Sequence, residues 1–468
     1  VLGGNAEIRF DDTDDTLLSK IGVARTTNEI VNGTANTDLA IRLYDQNADI
    51  VIGKGATEVA RIDGMNGSYS GSSASTGSFG QINLKSHPLR SIGSSNLSFG
   101  SDALGANTGA YNHAFGIDAM SYQTSGDRNT GFGYQAGRNN VTGDYNVFMG
   151  FSAGRGTTSG VYSNTVGIGN NAFYSINNSF SGVAVGSNAG YSQTDADRST
   201  FIGNSAGYYT TTGNDNTAVG ASALTKNQTG YGIVAIGKNA LYHQHVHSTV
   251  GVGSGAGYFS SGSANVYVGT YAGYYQGSGT TNTYVGDSAG RGFGLSVATS
   301  NSGNTGIGGN ALYTIQTGTY NVAVGGSSLS SLTTGTENVS IGYEASQKLT
   351  THGQNVHIGR AAGRYATGSY NTFVGKSAGT GNESAPYSSG QYNVAIGTEA
   401  MENFTTGNSN VAIGYQAAED ITTGYNNTVV GALAGESLTS TIQTVLIGSY
   451  AGHEINSTDA NGTICIGN

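Results

Sequence analysis

From Gly100 to Gly467 one alternating phrase recurs twenty-two times: usually valine or threonine, then a variable residue, a large apolar residue and glycine. Val183-Ala184-Val185-Gly186, Val322-Ala323-Val324-Gly325 and Val411-Ala412-Ile413-Gly414 are examples, and thirteen of the twenty-one intervals between the glycines equal 17 residues. A two-residue alternation closed by glycine predicts a short β-strand. Its return at a fixed short period predicts stacked coils in place of a single globular core. The residue before glycine is large and apolar in every coil, and the residue two earlier is Val, Thr, Leu or Ile except at His113. This pair is therefore expected to face a core. The residue between them, such as Ala184, Gly251, Tyr267, Tyr284, His357 or Phe373, is expected to face elsewhere.

Other positions keep the same register. Asparagine precedes the strand in fifteen coils, Asn321, Asn338 and Asn410 among them, which predicts a coil-to-coil ladder of side-chain hydrogen bonds. Alanine stands three residues after the glycine in twenty of the twenty-one coils that extend so far, with Ser328 the substitute, which predicts a close approach there. The next residue is often glycine (Gly137, Gly190, Gly273) or bulky and apolar (Leu104, Met120, Phe173, Leu224, Leu312). Loops such as Thr405 to Asn410 place a glycine where a positive φ is expected. Coils of this length offer about four core positions each. Three chains wrapped about a shared axis would bury the Val, Ile and Ala positions together and account for the small alanine. A self-contained single-chain solenoid is the other arrangement open to the array. At roughly 4.8 Å per stacked strand the array would form a rod of about 100 Å.

Composition refines this picture. Charged residues make up 10% of the 468-residue chain, with 77 glycines and 2 prolines, which fits neither collagen nor a disordered tail. A net charge of -10 without a basic run argues against nucleic-acid binding. No apolar stretch has transmembrane length, so membrane insertion is not expected. The one cysteine, Cys465, cannot form an intrachain disulfide and reads as strand packing. Three regions follow: a charged, β-rich module at 1–65, a Gly/Ser-rich connector at 66–93, and the array at 94–468. The expected fold is all-β, an elongated parallel β-solenoid or β-roll in an intertwined homotrimer, with a small N-terminal β module.

The Asn-Val-Ala-Ile-Gly-like strands followed by x-x-Ala-Gly resemble the left-handed β-roll heads of trimeric autotransporter adhesins and similar arrays in phage tail fibres. The period here is longer than the 14 to 15 residues of the adhesin heads. The phrase from Phe10 to Thr16, with the ending Glu58-Val59-Ala60-Arg61-Ile62-Asp63, is similar to a module of phage fibre proteins. This resemblance implies a virion fibre that contacts a host-surface glycan or protein and joins other virion or baseplate proteins through its N-terminal region. The alternatives are a bacterial trimeric surface adhesin head and a polysaccharide-cleaving tailspike. Proteins similar to such fibres often end in a self-cleaving intramolecular chaperone, and the stop after Ile466-Gly467-Asn468, within a repeat, fits removal of such a domain or a truncated chain equally well.

Candidate chemistry is sparse. His243, His245 and His247 alternate within five residues, so their imidazoles could share a face and, across three chains, surround a transition metal; a surface loop is the plainer reading, and a receptor contact is the third. No other cofactor is expected. The Asp11 to Asp15 cluster reads as a solvated turn, with a hard cation as the alternative. Tyrosines following Ala-Gly, notably Tyr208, Tyr209, Tyr274 and Tyr275, are candidate receptor contacts that could stack on sugar rings, or could stack coil on coil. The nearest carboxylate pairs of the array, Glu399 with Glu402 and Glu419-Asp420, do not recur, so an enzyme is not expected.

Overall fold

The computed structural model describes residues 95–467 apart from 106, 158–159, 179–180, 196, 295–299 and 456–460; before residue 95 it describes the backbone of eight strands. The described chain is all-β, a parallel β-solenoid of about 21 turns with a period of about 17 residues. It divides into two compact units, 1–181 and 182–468. No helix among the described residues is long and apolar enough to cross a membrane.

In the first unit, β1 (Glu7–Asp11), β2 (Leu17–Val23), β3 (Leu39–Asp45), β4 (Ala48–Val51), β5 (Arg61–Gly64) and β6 (Gly67–Ser68) form an antiparallel sheet in sequential order. Asp12 to Asp15, and residues 69–80 of the expected connector, lie outside the described residues. A hairpin follows, β7 (Gln81–Leu84) with β8 (His87–Ser91), and β8 pairs antiparallel with the first array strand, β9 (Leu97–Phe99). Pairing β9 in this way covers an edge that would otherwise present unpaired N–H and C=O groups. Parallel strands β10 (His113–Phe115), β11 (Thr130–Phe132), β12 (Val147–Met149) and β13 (Val166–Ile168) complete this unit. The second unit stacks seventeen three-residue strands in the same way, from β14 (Val183–Val185) to β30 (Ile464–Ile466).

The alternation is present, but its phase is opposite to the expected one. In each described strand up to the penultimate coil the central residue is buried, and the flanking pair is half-buried or exposed. Ala184, Tyr267, Tyr284, His357 and Phe373 are fully buried, while eight isoleucines before glycine in the second unit are 36–42% exposed. The coil is too narrow to admit two side chains of a three-residue strand, so it takes the central one. The recurrent alanine also lies inside its own coil, as at Ala206 and Ala417, and needs no neighbouring chain to explain its size.

Two interior positions share one volume. Call them the strand centre and the residue four after the glycine. Seven coils carry Phe, Tyr, His or Leu at the centre, and all seven have glycine at the second position, as in Phe201 with Gly207 and Tyr284 with Gly290. Eight coils carry Leu, Met or Phe at the second position, and all eight have Ser, Ala or Gly at the centre. The reason is steric. A Cβ on Gly137 would stand 2.9 Å from the Phe148 ring, and one on Gly251 would stand 2.6 Å from Leu241. Leu224 and Leu312 hold this second position at φ 54 in the left-handed region, a strain of order 1–3 kcal/mol. Both are fully buried, and burial of a leucine side chain contributes about 1.5–3 kcal/mol, which offsets the strain. Cys465 has the inward phase and packs partly buried on the apolar cluster that includes Leu438, Leu446 and Ala451.

The strand-ending glycine answers two demands. Gly325 has φ +129, and a Cβ there would lie 2.5 Å from the Gly342 carbonyl oxygen of the next coil. The glycines of the Thr-Thr-Gly loops, Gly407 and Gly424, differ from the expectation of a positive φ. Gly424 is a glycine because a Cβ would sit 2.5 Å from the Thr441 carbonyl oxygen, and the left-handed conformation falls two residues later, on Asn426 at φ 58.

The asparagine ladder forms as expected. From Asn304 to Asn427 each Oδ1 accepts the backbone N–H of the residue at the same place in the next coil, for example Asn427 N–H to Asn410 Oδ1 at 3.0 Å. Asn410 Nδ2 donates back to Asn393 Oδ1 at 3.2 Å and forward to the Gly424 carbonyl at 2.8 Å, and Asn427 Nδ2 donates to Asn410 Oδ1 at 3.0 Å. Two donors and two acceptor sites are thus all satisfied on a buried side chain, which selects an amide over a carboxylate or hydroxyl.

Candidate functional site

In most coils the chain emerges on an outer edge five and six residues after the glycine and turns back inward at the seventh. Stacking at one period turns these places into two adjacent columns. Between Tyr191 and Tyr275 of the second unit they carry stacked aromatic rings. Tyr191 stacks on Tyr208 at 4.9 Å, Tyr208 meets Tyr209 edge-on at 4.6 Å, and Lys226 Nζ lies 4.7 Å over Tyr209. Two coils beyond Tyr208, Tyr242, Tyr258 and Tyr274 stack at 5.0 and 5.1 Å. Beside them His243, Phe259 and Tyr275 stack at 4.9 and 5.5 Å, and Arg291 caps Tyr275 at 5.6 Å. Tyr274 and Tyr275 meet edge-on at 4.6 Å.

The candidate contacts therefore fall in two groups, Tyr208 with Tyr209 and Tyr274 with Tyr275, on one edge but four coils apart. Along Tyr242, Tyr258 and Tyr274, and along His243, Phe259 and Tyr275, each ring lies nearly parallel to the next, so neighbouring coils occupy the ring faces. Burial, then the adjacent tyrosine hydroxyls, raises the Tyr258 and Tyr274 phenols above their ordinary value.

The histidines do not converge within one chain. His243 belongs to the aromatic column, and burial, with His245 and Lys226 nearby, lowers its pKa. His245 is exposed. His247 stacks 3.9 Å from the Tyr231 ring, and its Nδ1 accepts the Tyr231 N–H at 3.2 Å. Among the described residues no group of three His, Cys, Asp or Glu side chains is placed to hold a metal ion.

Further along, the same edge turns acidic. Glu402, Glu419 and Glu436 occupy one column in successive coils, with Asp420 beside Glu419. Glu399 pairs with Lys376 at 3.1 Å, and His453 closes on Glu436. Burial first, then Asp420, Glu402, Glu436 and Glu399, pushes the Glu419 carboxyl up to about 7. These carboxylates stand side by side along an outer edge, not opposed across a cleft.

One constellation had no sequence signal. Ser340 Oγ, Ser346 Oγ and His357 Nδ1 form a hydrogen-bonded chain, with Ser346 and His357 at 2.7 Å. A serine at this distance from an imidazole has the contact of an activated nucleophile. All three side chains are fully buried and the His357 ring stacks on Phe373 at 4.8 Å, so the group packs the interior and meets no solvent. Comparison with protein-family models, curated proteins and solved structures returned no match.

Proposed function

We propose that this chain is a structural, non-enzymatic adhesion fibre built from three copies of itself, of the kind carried by a phage tail or a comparable virion appendage. The supporting observation is the outward strip of the array. Eight isoleucines in the second unit, and Phe132, Met149 and Ile168 in the first, leave a third or more of their surface exposed, with half-buried Val or Thr beside them. Monomeric proteins rarely expose contiguous apolar strips of this extent. Copies packed strip to strip about a common axis would bury it, and symmetry would multiply weak surface contacts. The host-facing contacts in this reading are the outer-edge tyrosines, through their hydroxyls and ring edges, toward a surface glycan or protein. The N-terminal sheet would join the rest of the particle.

Light scattering on the purified chain tests the assembly. Three copies of a 47.5 kDa chain give about 143 kDa. Ile341→Glu with Ile413→Glu should reduce the mass to that of one chain, because charges on the strip cannot be desolvated cheaply. A stable monomer or dimer in the unsubstituted protein refutes the threefold reading. Labelled trimer that binds no bacterial cells refutes adhesion.

A further inference from the structure

Within the first unit the two outer-edge columns change character. The sixth-position column runs Tyr122, Asn139, Gly156, Ser175, and the fifth-position column beside it supplies Arg138, Arg155 and Tyr174. At the equivalent places of the second unit, His243, Phe259 and Tyr275 fill the sixth-position column with stacked rings. Here Asn139, Gly156 and Ser175 follow Tyr122 without a further ring, Asn139 and Gly156 being buried, and a cavity of about 640 Å³ opens between Tyr122 and Tyr174. Its size lies within the 300–1,000 Å³ of small-molecule sites. Gly156 is set by its backbone and by the interior behind it. It has φ +73, and a Cβ there would stand 2.9 Å from the Tyr162 hydroxyl.

Two guanidinium groups in successive coils line this cavity. Arg138 lies 4.8 Å from the Tyr122 ring, donates to the Tyr122 hydroxyl at 3.2 Å, and has Asp118 Oδ2 at 3.7 Å from its Nε. Arg155 lies 5.2 Å from the Tyr174 ring, and its Nε donates to Gln135 Oε1 at 3.0 Å. Among the described residues no carboxylate comes within ion-pair distance of Arg155. Asn139 Nδ2 donates to the Gly156 carbonyl at 2.9 Å and ties the floor together. In a chain of net charge -10 this is a local concentration of cationic donors. A planar guanidinium fork matches a carboxylate in two-point geometry, and tyrosines beside it offer apolar surface and a hydroxyl to a ring.

We propose that the groove between Tyr122 and Tyr174 binds a carboxylate-bearing sugar of a surface glycan, its ring in the vacant outer column and its carboxylate on Arg155 and Arg138. The glycan source rests on the adhesion reading above; the acidic-sugar chemistry rests on the groove.

Calorimetric titration of the full chain tests it, with galacturonate and glucuronate disaccharides, their carboxyl-reduced counterparts, and sulfate alone. The acidic disaccharides should bind at least tenfold more tightly than the reduced ones. Arg155→Gln should weaken them about tenfold or more, the effect expected for loss of a charged hydrogen-bond partner, while Arg155→Lys should retain part of the affinity. Arg360→Gln, an exposed change elsewhere, should leave binding unaltered, and circular dichroism would verify that each variant is folded. Equal affinity for acidic and reduced sugars, competition by sulfate as effective as by sugar, no saturable binding, or unchanged affinity in folded Arg155→Gln would each overturn the proposal. Binding of the labelled chain to whole cells, measured in parallel, separates the two readings: cells bound without acidic-sugar affinity would sink the groove and leave adhesion standing.

Discussion

Replacing Asn410 by Asp changes one NH2 to an oxygen and tests whether the asparagine ladder rests on amide donors. Asn410 is buried, and its Nδ2 donates to Asn393 Oδ1 at 3.2 Å and Gly424 O at 2.8 Å. The backbone N–H and Nδ2 of Asn427 both donate to Asn410 Oδ1 at 3.0 Å, and an aspartate would still accept these. The loss is therefore confined to two donors, after which two acceptors would face a carboxylate oxygen. Asn393 Oδ1 keeps the Asn410 backbone N–H, so one acceptor, the Gly424 carbonyl, is stranded; two lost hydrogen bonds at about 0.5–1.5 kcal/mol each and one stranded buried acceptor at about 1–3 should destabilise the second unit by roughly 2–6 kcal/mol. Burial also raises the pKa of the new carboxyl above its unfolded value of about 3.9. A raised folded pKa means stability is lost as pH rises, so the deficit should be smaller near pH 4 than at pH 7. Urea unfolding followed by circular dichroism, with hydrogen exchange on the flanking coils, would measure it. A deficit below about 0.5 kcal/mol at pH 7, or one that does not shrink on acidification, would refute the claim that the amide donors hold neighbouring coils together.

Two further outcomes concern titratable groups. Burial lowers the His357 pKa from 6.5 to about 3, so stability should fall as pH drops from about 6.5 toward 3, by up to about 5 kcal/mol; in His357→Phe, pH-dependent unfolding should lose this component. Glu419 has the opposite sign: its raised carboxyl should lower stability as pH climbs from about 4.5 through 7, and Glu419→Gln should raise the thermal midpoint at pH 8 while leaving it unchanged at pH 4.

The period, the strands, the strand-ending glycines and the asparagine ladder were legible because each depends on backbone register, which a one-dimensional pattern records directly. The inward face was not. Val183, Ala184 and Val185 are all apolar, so alternation could not say whether the pair or the centre points in, and only the coil's narrow bore decides. A signal did exist in the avoidance of two bulky residues at the strand centre and the place four after the glycine, as at Phe373 with Gly379 and Ala323 with Leu329. The loop glycines misled for a related reason: at Gly424 the demand is closeness to the neighbouring coil, and a positive φ is not needed. The run Asn139, Gly156, Ser175 was equally readable, but its meaning required knowing that this column lies on the outer edge, with Arg138 and Arg155 alongside. Ser346 and His357 meet only because their coils are stacked, since eleven residues separate them along the chain.

Because the interior volume is shared across coil boundaries, a coil is not the unit of inheritance that its period suggests. A Cβ on Gly257 would stand 2.5 Å from Leu241 of the preceding coil and 2.6 Å from Tyr267 of the following one. Unequal crossing-over that deleted this coil would bring Leu241 and Tyr267 into adjacent turns, with two bulky groups competing for space that the coil of Gly251 and Gly257 now supplies. Repeat number in such a gene should therefore change by segments whose ends match in interior bulk, and duplications of a single coil should persist mainly where Leu follows Leu, as between Leu312 and Leu329.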